Sequence, residues 1–402
     1  MSQTVSWDKT GNWTMTGDGG LSTGRMRDVL ARHVEVGTVP GLVALVGRGE
    51  EVEVVALGAH GDTPMRRDTI FRMASLTKPV TAAAVMILVE ECRLRLDDPV
   101  ETWLPELGNR HVLRTIDAEL DDTVPVARSI TVRDLLTLTF GIGLVFTPCP
   151  IQAAMLELGI VGDGTANWPT LDQDEWLRRL GTLPLMYQPG ERWQYHVGSD
   201  VLGVLVSRAA GQSFEAFLRE RLFEPLGMVD TGFHVPAGNL HRLPPSYAHD
   251  PLTGELTVWD KTDGKYSKPP SFQAGGDGLV STVDDYHRFF RMLADKGGRV
   301  LSRASVALMT MDHLTPAQKV EKDLFGDHFG RHGGYGFGMA VRTHRRDLAS
   351  VGQFGWDGGL GTTAYADPAE NLVGVLLTQT AMDSADTPRL HQDFWTTAYQ
   401  AI

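Results

Sequence analysis

The sequence predicts an α+β protein: one antiparallel sheet built from both chain termini, flanked by helices, with a large, mainly helical segment inserted between its two halves. Three observations carry this expectation. Strand-like runs occur at 41–57 and return from Tyr335 onward. Helical patterns fill the stretch between them. The length of 402 residues exceeds one average domain and falls short of three large ones.

In chain order, residues 1–20 read as a polar tail rich in Gly and Thr. Arg25–Val36 carries Met26, Val29, Leu30 and Val34 at helical spacing, and Gly37 and Pro40 stop it. Gly41–Val46 and Val52–Leu57 are β-rich and joined by Arg48-Gly49-Glu50-Glu51, a hairpin by composition and length. Helices are expected over Pro79–Glu91, Val132–Thr137, Asp174–Leu180, Asp200–Ala210, Phe214–Leu222 and Val283–Ala294. Loops rich in Pro and Gly separate them, notably Asn167–Pro169 and Leu243–Pro270, the second expected to border the pocket. Strands are expected at Tyr335–Thr343, Val351–Trp356, Thr362–Ala366 and Leu372–Gln379, and a last helix at Pro388–Tyr399. The expected division is a sheet domain of residues 21–68 and 285–402 around a mainly helical domain of residues 69–284.

Composition narrows the function. With 42% hydrophobic and 22% charged residues, the chain is ordinary for a globular protein, which excludes collagen-like, disordered and disulfide-scaffold classes. A net charge of −13 repels phosphate backbones and anionic lipid, so neither nucleic acid nor membrane is an expected partner. No apolar run reaches about 18 residues, and residues 1–17 lack the basic-then-apolar order of a signal peptide. Cys92 and Cys149 cannot form a disulfide framework. The expected compartment is the cytoplasm. Cys92, behind a long apolar run, is expected to be buried as a small hydrophobe.

No G-x-S-x-G, P-loop, G-x-G-x-x-G or H-E-x-x-H motif is present. His328 and His332 are four apart, but the glycines around them argue against a metal-presenting helix. No metal or cofactor is expected.

S-x-x-K occurs twice. Ser6-Trp7-Asp8-Lys9 lies in the tail and is set aside. In Phe71-Arg72-Met73-Ala74-Ser75-Leu76-Thr77-Lys78-Pro79, the serine stands where a loop enters a helix that is apolar all round, hence buried. Residues three apart share a helix face, so Lys78 is within reach of the Ser75 hydroxyl. The helix start adds unpaired N–H groups and a positive dipole end, which favour an oxyanion. A serine hydroxyl needs a base, and a lysine serves as one only where its surroundings favour the neutral amine. An N-cap serine followed by a surface lysine is the alternative on this segment alone.

Further motifs follow: Leu96-Asp97-Asp98-Pro99-Val100, Ile130-Thr131-Val132-Arg133-Asp134-Leu135-Leu136-Thr137, Pro189 to Asp200 with Tyr195 inside, Ala274-Gly275-Gly276-Asp277-Gly278, and Phe354-Gly355-Trp356-Asp357-Gly358-Gly359. Together they resemble the serine β-lactamase superfamily, closest to class C enzymes and their esterase relatives, over residues 25–400. The resemblance implies a β-lactamase/transpeptidase-like fold with the active site in the cleft between the two domains. It implies Ser75 as nucleophile, Lys78 and Tyr195 as a coupled proton-transfer pair, and the N–H groups of Ser75 and Gly359 as the oxyanion hole. Trp356, Val197 and Gly358 would then line the substrate site.

The departures from the family pattern bear on substrate. Val197 replaces the Asn of Tyr-x-Asn, and Trp356 replaces the Lys of Lys-Thr-Gly. An indole in place of an ammonium removes an anion partner and extends an apolar wall suited to uncharged groups. Leu138-Thr139-Phe140-Gly141 differs from the His-Thr-Ser-Gly of many relatives in a segment that shapes a loop. The resulting expectation is a serine hydrolase that cleaves esters of short, uncharged acyl groups through an acyl-enzyme, with a small-molecule ester as partner. Transfer of the acyl group to an alcohol is the alternative. A β-lactamase or D-alanyl carboxypeptidase, and a non-catalytic scaffold, are further ones.

Overall fold

A computed structural model of the chain describes residues 4–7, 13–16, 20–162, 171–250, 252–319 and 333–402. Asn167–Pro169, His328 and His332, and Asp8 and Lys9 of the discarded S-x-x-K lie outside the described residues.

Eight strands form one antiparallel sheet: β1 (Gly41–Arg48), β2 (Glu51–His60), β3 (Thr63–Pro64), β4 (Gly333–Tyr335), β5 (Ala340–Arg342), β6 (Phe354–Gly358), β7 (Thr362–Asp367) and β8 (Leu372–Thr378). Their order is β4-β5-β6-β7-β8-β1-β2-β3. The seam between the two ends of the chain is the β8–β1 pair, with Leu372 opposite Arg48 and Thr378 opposite Leu42.

β1 is buried from Gly41 to Gly47 because helices cover both faces of the sheet. Side chains alternate along a strand. Leu42, Ala44 and Val46 pack with Met26 and Leu30 of α1 (Gly24–Glu35) and with Leu390 and Phe394 of the C-terminal helix Arg389–Gln400. Val43 and Leu45 face the other way, into the main core with α4 (Val283–Ala294). The expected boundary at 284/285 falls inside this last helix.

On the helical side, α2 (Thr77–Glu90) is buried continuously from Thr77 to Leu88. It packs against α3 (Val197–Ala210). Its end corrects the expectation for Cys92. The Cys92 N–H bonds to Val89 O and the Arg93 N–H to Leu88 O, both at 3.0 Å. This is a Schellman-type stop with Cys92 at φ 58, and the turn carries the thiol out to solvent, where Cys92 is exposed.

Other departures have local causes. Tyr335–Thr343 is not one strand but the hairpin β4–β5, because Gly338 at φ 73 turns the chain where a Cβ would lie 2.6 Å from Lys78 O. Leu243–Pro270 holds an antiparallel pair, Ser246–His249 with Leu256–Asp260, and Tyr247 bridges to Thr380. The tail contains a two-stranded pairing of Thr4–Trp7 with Trp13–Thr16, segments rich in β-favouring residues. Among the described residues, no helix is long and apolar enough to cross a membrane.

One packing detail predicts pH dependence. His287 of α4 is buried against Gly47, and among the described residues its Nε2 has no hydrogen-bond partner. Burial, assisted by the Arg291 cation, pushes its imidazole down to about 4. The unfolded chain therefore takes up a proton below about pH 6.5 that the folded chain refuses until about pH 4. Stability present above pH 6.5 is lost as pH falls through this window, by about 3 kcal/mol. Urea unfolding of wild type and His287→Leu at pH 7 and pH 4.5 measures it: the variant should lose less stability than the wild type, and equal losses would refute the assignment.

Candidate active site

The serine is presented by a sharp reversal. Phe71–Arg72 pairs with Val280–Ser281, and the Met73 N–H bonds to Leu279 O at 2.8 Å. Ala74 then takes φ 46, a left-handed conformation uncommon outside glycine. Ala74–Leu76 forms a 3-10 turn leading into α2. Thr77 Oγ1 locks the reversal by donating to Ala74 O (2.8 Å) and accepting from the Leu279 N–H (3.1 Å).

Lys78, on the first turn of α2, is 1% exposed. Its Nζ lies 3.0 Å from Ser75 Oγ, 3.0 Å from His196 Nδ1 and 2.7 Å from Gly276 O. The Gly275-Gly276 segment reaches this position because glycine lets it pass between α2 and α3. A Cβ on Gly276 would approach Asp200 Oδ1 to 2.8 Å and His196 Cε1 to 3.1 Å. Thr81 Oγ1 donates to Gly275 O at 2.7 Å and holds the segment there.

Tyr195 Oη donates to Ser75 Oγ at 2.7 Å and accepts from Trp356 Nε1 at 2.9 Å. The ring is stacked on Trp193 at 5.4 Å and lies 5.6 Å from Trp356. Its backbone is gripped by Leu144, whose N–H donates to Tyr195 O at 2.9 Å, and the Gln194 N–H donates to Leu138 O at 2.7 Å. This is the loop-shaping role expected of the 138–141 segment. His196 follows at φ 82, ψ −67, and the Val197 N–H bonds back to Tyr195 O at 3.2 Å. These values define a strained γ-turn, costing about 1–3 kcal/mol. It turns the His196 ring onto Lys78, while Nε2 lies 3.2 Å from Asp200 Oδ2.

β6 brings Trp356 and Gly359 to the serine. Gly358 at its end has no room for a side chain, because a Cβ would lie 2.5 Å from Met73 O. Thr362 Oγ1 donates to that same carbonyl at 3.1 Å. Ser75 and Gly359 line two adjoining cavities, of about 570 and 590 Å³. The first runs along Tyr195, Trp356, Arg342, Asp357 and Met382. The second runs along Val145, Leu156, Val161, Trp259 and Tyr266, with His196 and Asp277 near its floor. Trp259 and Tyr266 come from the 243–270 segment, which therefore borders the pocket. Burial holds the Tyr335 phenol well above its usual range, and burial with nearby Asp357 does the same for Tyr365.

The structure thus brings Ser75, Lys78, Tyr195, Trp356 and Gly359 together. Two residues expected at the substrate site lie outside both of these cavities. Val197 is fully buried and lines neither cavity, because it begins α3 and its N–H closes the γ-turn. Gly358 is packed so that an added Cβ would lie 2.5 Å from Met73 O. His196 and Asp200 stand beside Lys78, and a His and an Asp four apart at a helix start share a face, the signal that points to Asp200 from sequence. His196, Asp200 and Asp277 place ligand atoms within 4.8 Å of one another. His196 Nδ1 is engaged by Lys78 and Nε2 lies beside the Asp200 carboxylate, whose Oδ1 accepts from the Gly276 N–H at 2.8 Å. A lysine nitrogen on the histidine does not suit a cation site.

A beta-lactamase family model matches residues 26–393. Protein Rv1367c of Mycobacterium tuberculosis is 39% identical over 364 residues, covering 87% of this chain and 88% of its own length. Esterase EstB of Burkholderia gladioli is 30% identical over 370 residues, covering 87% and 88%. Among solved structures, EstCE1, described as a hydrolase with promiscuous acyltransferase activity, matches with a TM-score of 0.76 at 25% identity, over 93% of this chain and 97% of that one.

The two glycines beside the serine should respond differently to substitution. Gly358→Ala forces a Cβ into Met73 O and should cost about 1–3 kcal/mol. Gly359→Ala meets no atom within 4 Å and should change stability by under about 0.5 kcal/mol. Thermal melts of both variants check this, and equal midpoints would contradict the packing.

Proposed function

Because the chain belongs to the beta-lactamase family, we propose that it is a serine esterase that cleaves short, uncharged acyl esters through an acyl-enzyme. The observation that carries this is the convergence of Lys78 Nζ and Tyr195 Oη on one oxygen, Ser75 Oγ, at 3.0 and 2.7 Å. In this reading Ser75 Oγ attacks the ester carbonyl carbon, and its proton passes to the Lys78–Tyr195 pair. The carbonyl oxygen becomes an oxyanion facing the N–H groups of Ser75 and Gly359. The C–O bond to the alcohol breaks, and the pair returns a proton to the departing alkoxide. Water then attacks the acyl-enzyme, gives one proton to the pair, and Ser75 Oγ recovers its proton as the acid leaves.

Substrate preference follows from the walls. Where the resemblance expects an ammonium, Trp356 offers an indole N–H that is spent on Tyr195. Arg342 and Arg346 stand in the first cavity with Asp357 and Asp383, and Arg342 is paired with Asp347 at 3.2 Å. A drug carboxylate therefore meets no net positive wall there, and in the second cavity it would meet Asp277. An unpaired carboxylate in a partly desolvated site costs several kcal/mol. Transfer of the acyl group to an alcohol instead of water is a second reading, favoured by the likeness to EstCE1. The reading places the enzyme in the cytoplasm, where a reducing milieu suits two unpaired cysteines, Cys92 and Cys149.

The test is kinetic. p-Nitrophenyl acetate and butyrate should be turned over with kcat/KM at least about 10²-fold above nitrocefin, and nitrocefin equal to the best ester would refute the substrate assignment. A fluorophosphonate should label Ser75 and no other residue. Ser75→Ala should abolish turnover at a stability cost of about 1 kcal/mol or less. Lys78→Arg and Tyr195→Phe should each lose roughly 10²–10⁴-fold in kcat. Retention of most activity by Tyr195→Phe would remove the phenol from the mechanism. Added alcohol acceptors would reveal ester products if transfer competes with hydrolysis.

A further inference from the structure

The proposed chemistry needs a lone pair on Lys78 directed at Ser75. We infer that His196 and Asp200 form a positioning pair that fixes the imidazole tautomer and so aims that lone pair. The catalytic consequence rests on the esterase reading; the tautomer does not.

Three atoms surround Lys78 Nζ: Ser75 Oγ, His196 Nδ1 and Gly276 O. The carbonyl can only accept. An imidazole nitrogen accepts or donates according to tautomer. Asp200 decides which. Its Oδ2 lies 3.2 Å from His196 Nε2, and its Oδ1 is held by the Gly276 N–H at 2.8 Å. A carboxylate oxygen this close to Nε2 repels a lone pair there and favours an N–H, so the proton belongs on Nε2 and Nδ1 is left with its lone pair. A neutral Lys78 amine has two N–H bonds. Both are then consumed by obligate acceptors, Gly276 O and His196 Nδ1, and the remaining lone pair faces the Ser75 hydroxyl. Ser75 donates its proton to Nζ while accepting from Tyr195. After the transfer, the ammonium has three N–H bonds and three acceptors. With the opposite tautomer, His196 Nδ1–H would compete with Ser75 for the lone pair, and the base would be turned away from the nucleophile.

Two independent features support a built device. The γ-turn at His196 is an unfavourable backbone state for a residue with a side chain, and it directs the ring to Lys78. Gly276 lacks a Cβ where one would crowd both Asp200 Oδ1 and the His196 ring. The other charged groups facing the pair are Asp277, within the same 4.8 Å cluster, and Lys265, which interacts with the Asp277 and Asp200 carboxylates.

The experiment uses the full chain with 15N-labelled histidine: wild type, Asp200→Asn, His196→Asn and the double variant. Asp200→Asn is isosteric; its oxygen can still accept from Gly276 while its NH2 faces Nε2. In His196→Asn, the amide oxygen occupies the place of Nδ1, and asparagine tolerates positive φ. Long-range 1H–15N spectra at about pH 8, above the usual imidazole range, report which ring nitrogen is protonated, and the spectrum of His196→Asn identifies the ring. The expected result is a proton on Nε2 in the wild type and on Nδ1 in Asp200→Asn. With p-nitrophenyl butyrate, Asp200→Asn should lose about 10²-fold in kcat with KM little changed. The double variant should recover to the level of His196→Asn alone, because an amide oxygen accepts from Lys78 whatever stands at position 200. A wild-type proton on Nδ1 overturns the inference. So does a tautomer shift in Asp200→Asn without loss of kcat, or a double variant no better than Asp200→Asn. Wild type with the proton on Nε2 that hydrolyses no ester would sink the esterase reading while upholding the tautomer assignment.

Discussion

A lysine nitrogen in the middle of a protein has to be surrounded by acceptors, and the local architecture is arranged around that requirement. Lys78 is about as inaccessible as the aliphatic residues beside it, and an unmatched polar nitrogen there would cost several kcal/mol. Its three partners come from three separate parts of the chain: a strand-to-helix reversal, a loop closing on α3, and a glycine pair running between two helices. None of these could shift without leaving a buried nitrogen unpaired. The requirement that keeps Lys78 paired therefore also makes the site rigid.

Rigidity is visible in the backbone. Ala74, Leu138 and His196 all have positive φ, and all three border the serine or the tyrosine that faces it. Each is uphill locally. They persist because neighbouring bonds leave no alternative: Leu138 O is held by the Gln194 N–H and the Ala74 carbonyl by the Thr77 hydroxyl. The rings of Trp193 and Trp356, both braced by Tyr335, leave Tyr195 little freedom to swing.

Much of this was legible in the sequence, for physical reasons. The uniform apolarity after Ser75 marks a buried helix, and S-x-x-K spacing places a lysine over a serine on any such helix. The strands at both ends announce themselves as runs of β-favouring residues. What stayed hidden depends on backbone states that composition does not encode. Nothing about a histidine signals φ 82, the backbone state that turns the His196 ring onto Lys78. Tyr335–Thr343 read as one strand, whereas the chain reverses at Gly338. Cys92 looked buried because the helix before it is, yet a left-handed residue at a helix end points outward. Trp356 was legible as a wall but not as a donor, since the Tyr195 oxygen it meets is 161 positions away in the chain.

The seam of the sheet sets a timetable for synthesis. Arg48 pairs with Leu372, 324 positions later in the chain. At ribosomal rates of about 5–20 residues per second, β1 and β2 must wait tens of seconds for the strand that completes them. During that interval a hairpin of strongly apolar residues has neither its partner strand nor its C-terminal covering helix, while the helices that follow it can already collapse around α2. Until β8 emerges, nascent chains of this protein therefore carry an unpaired strand edge.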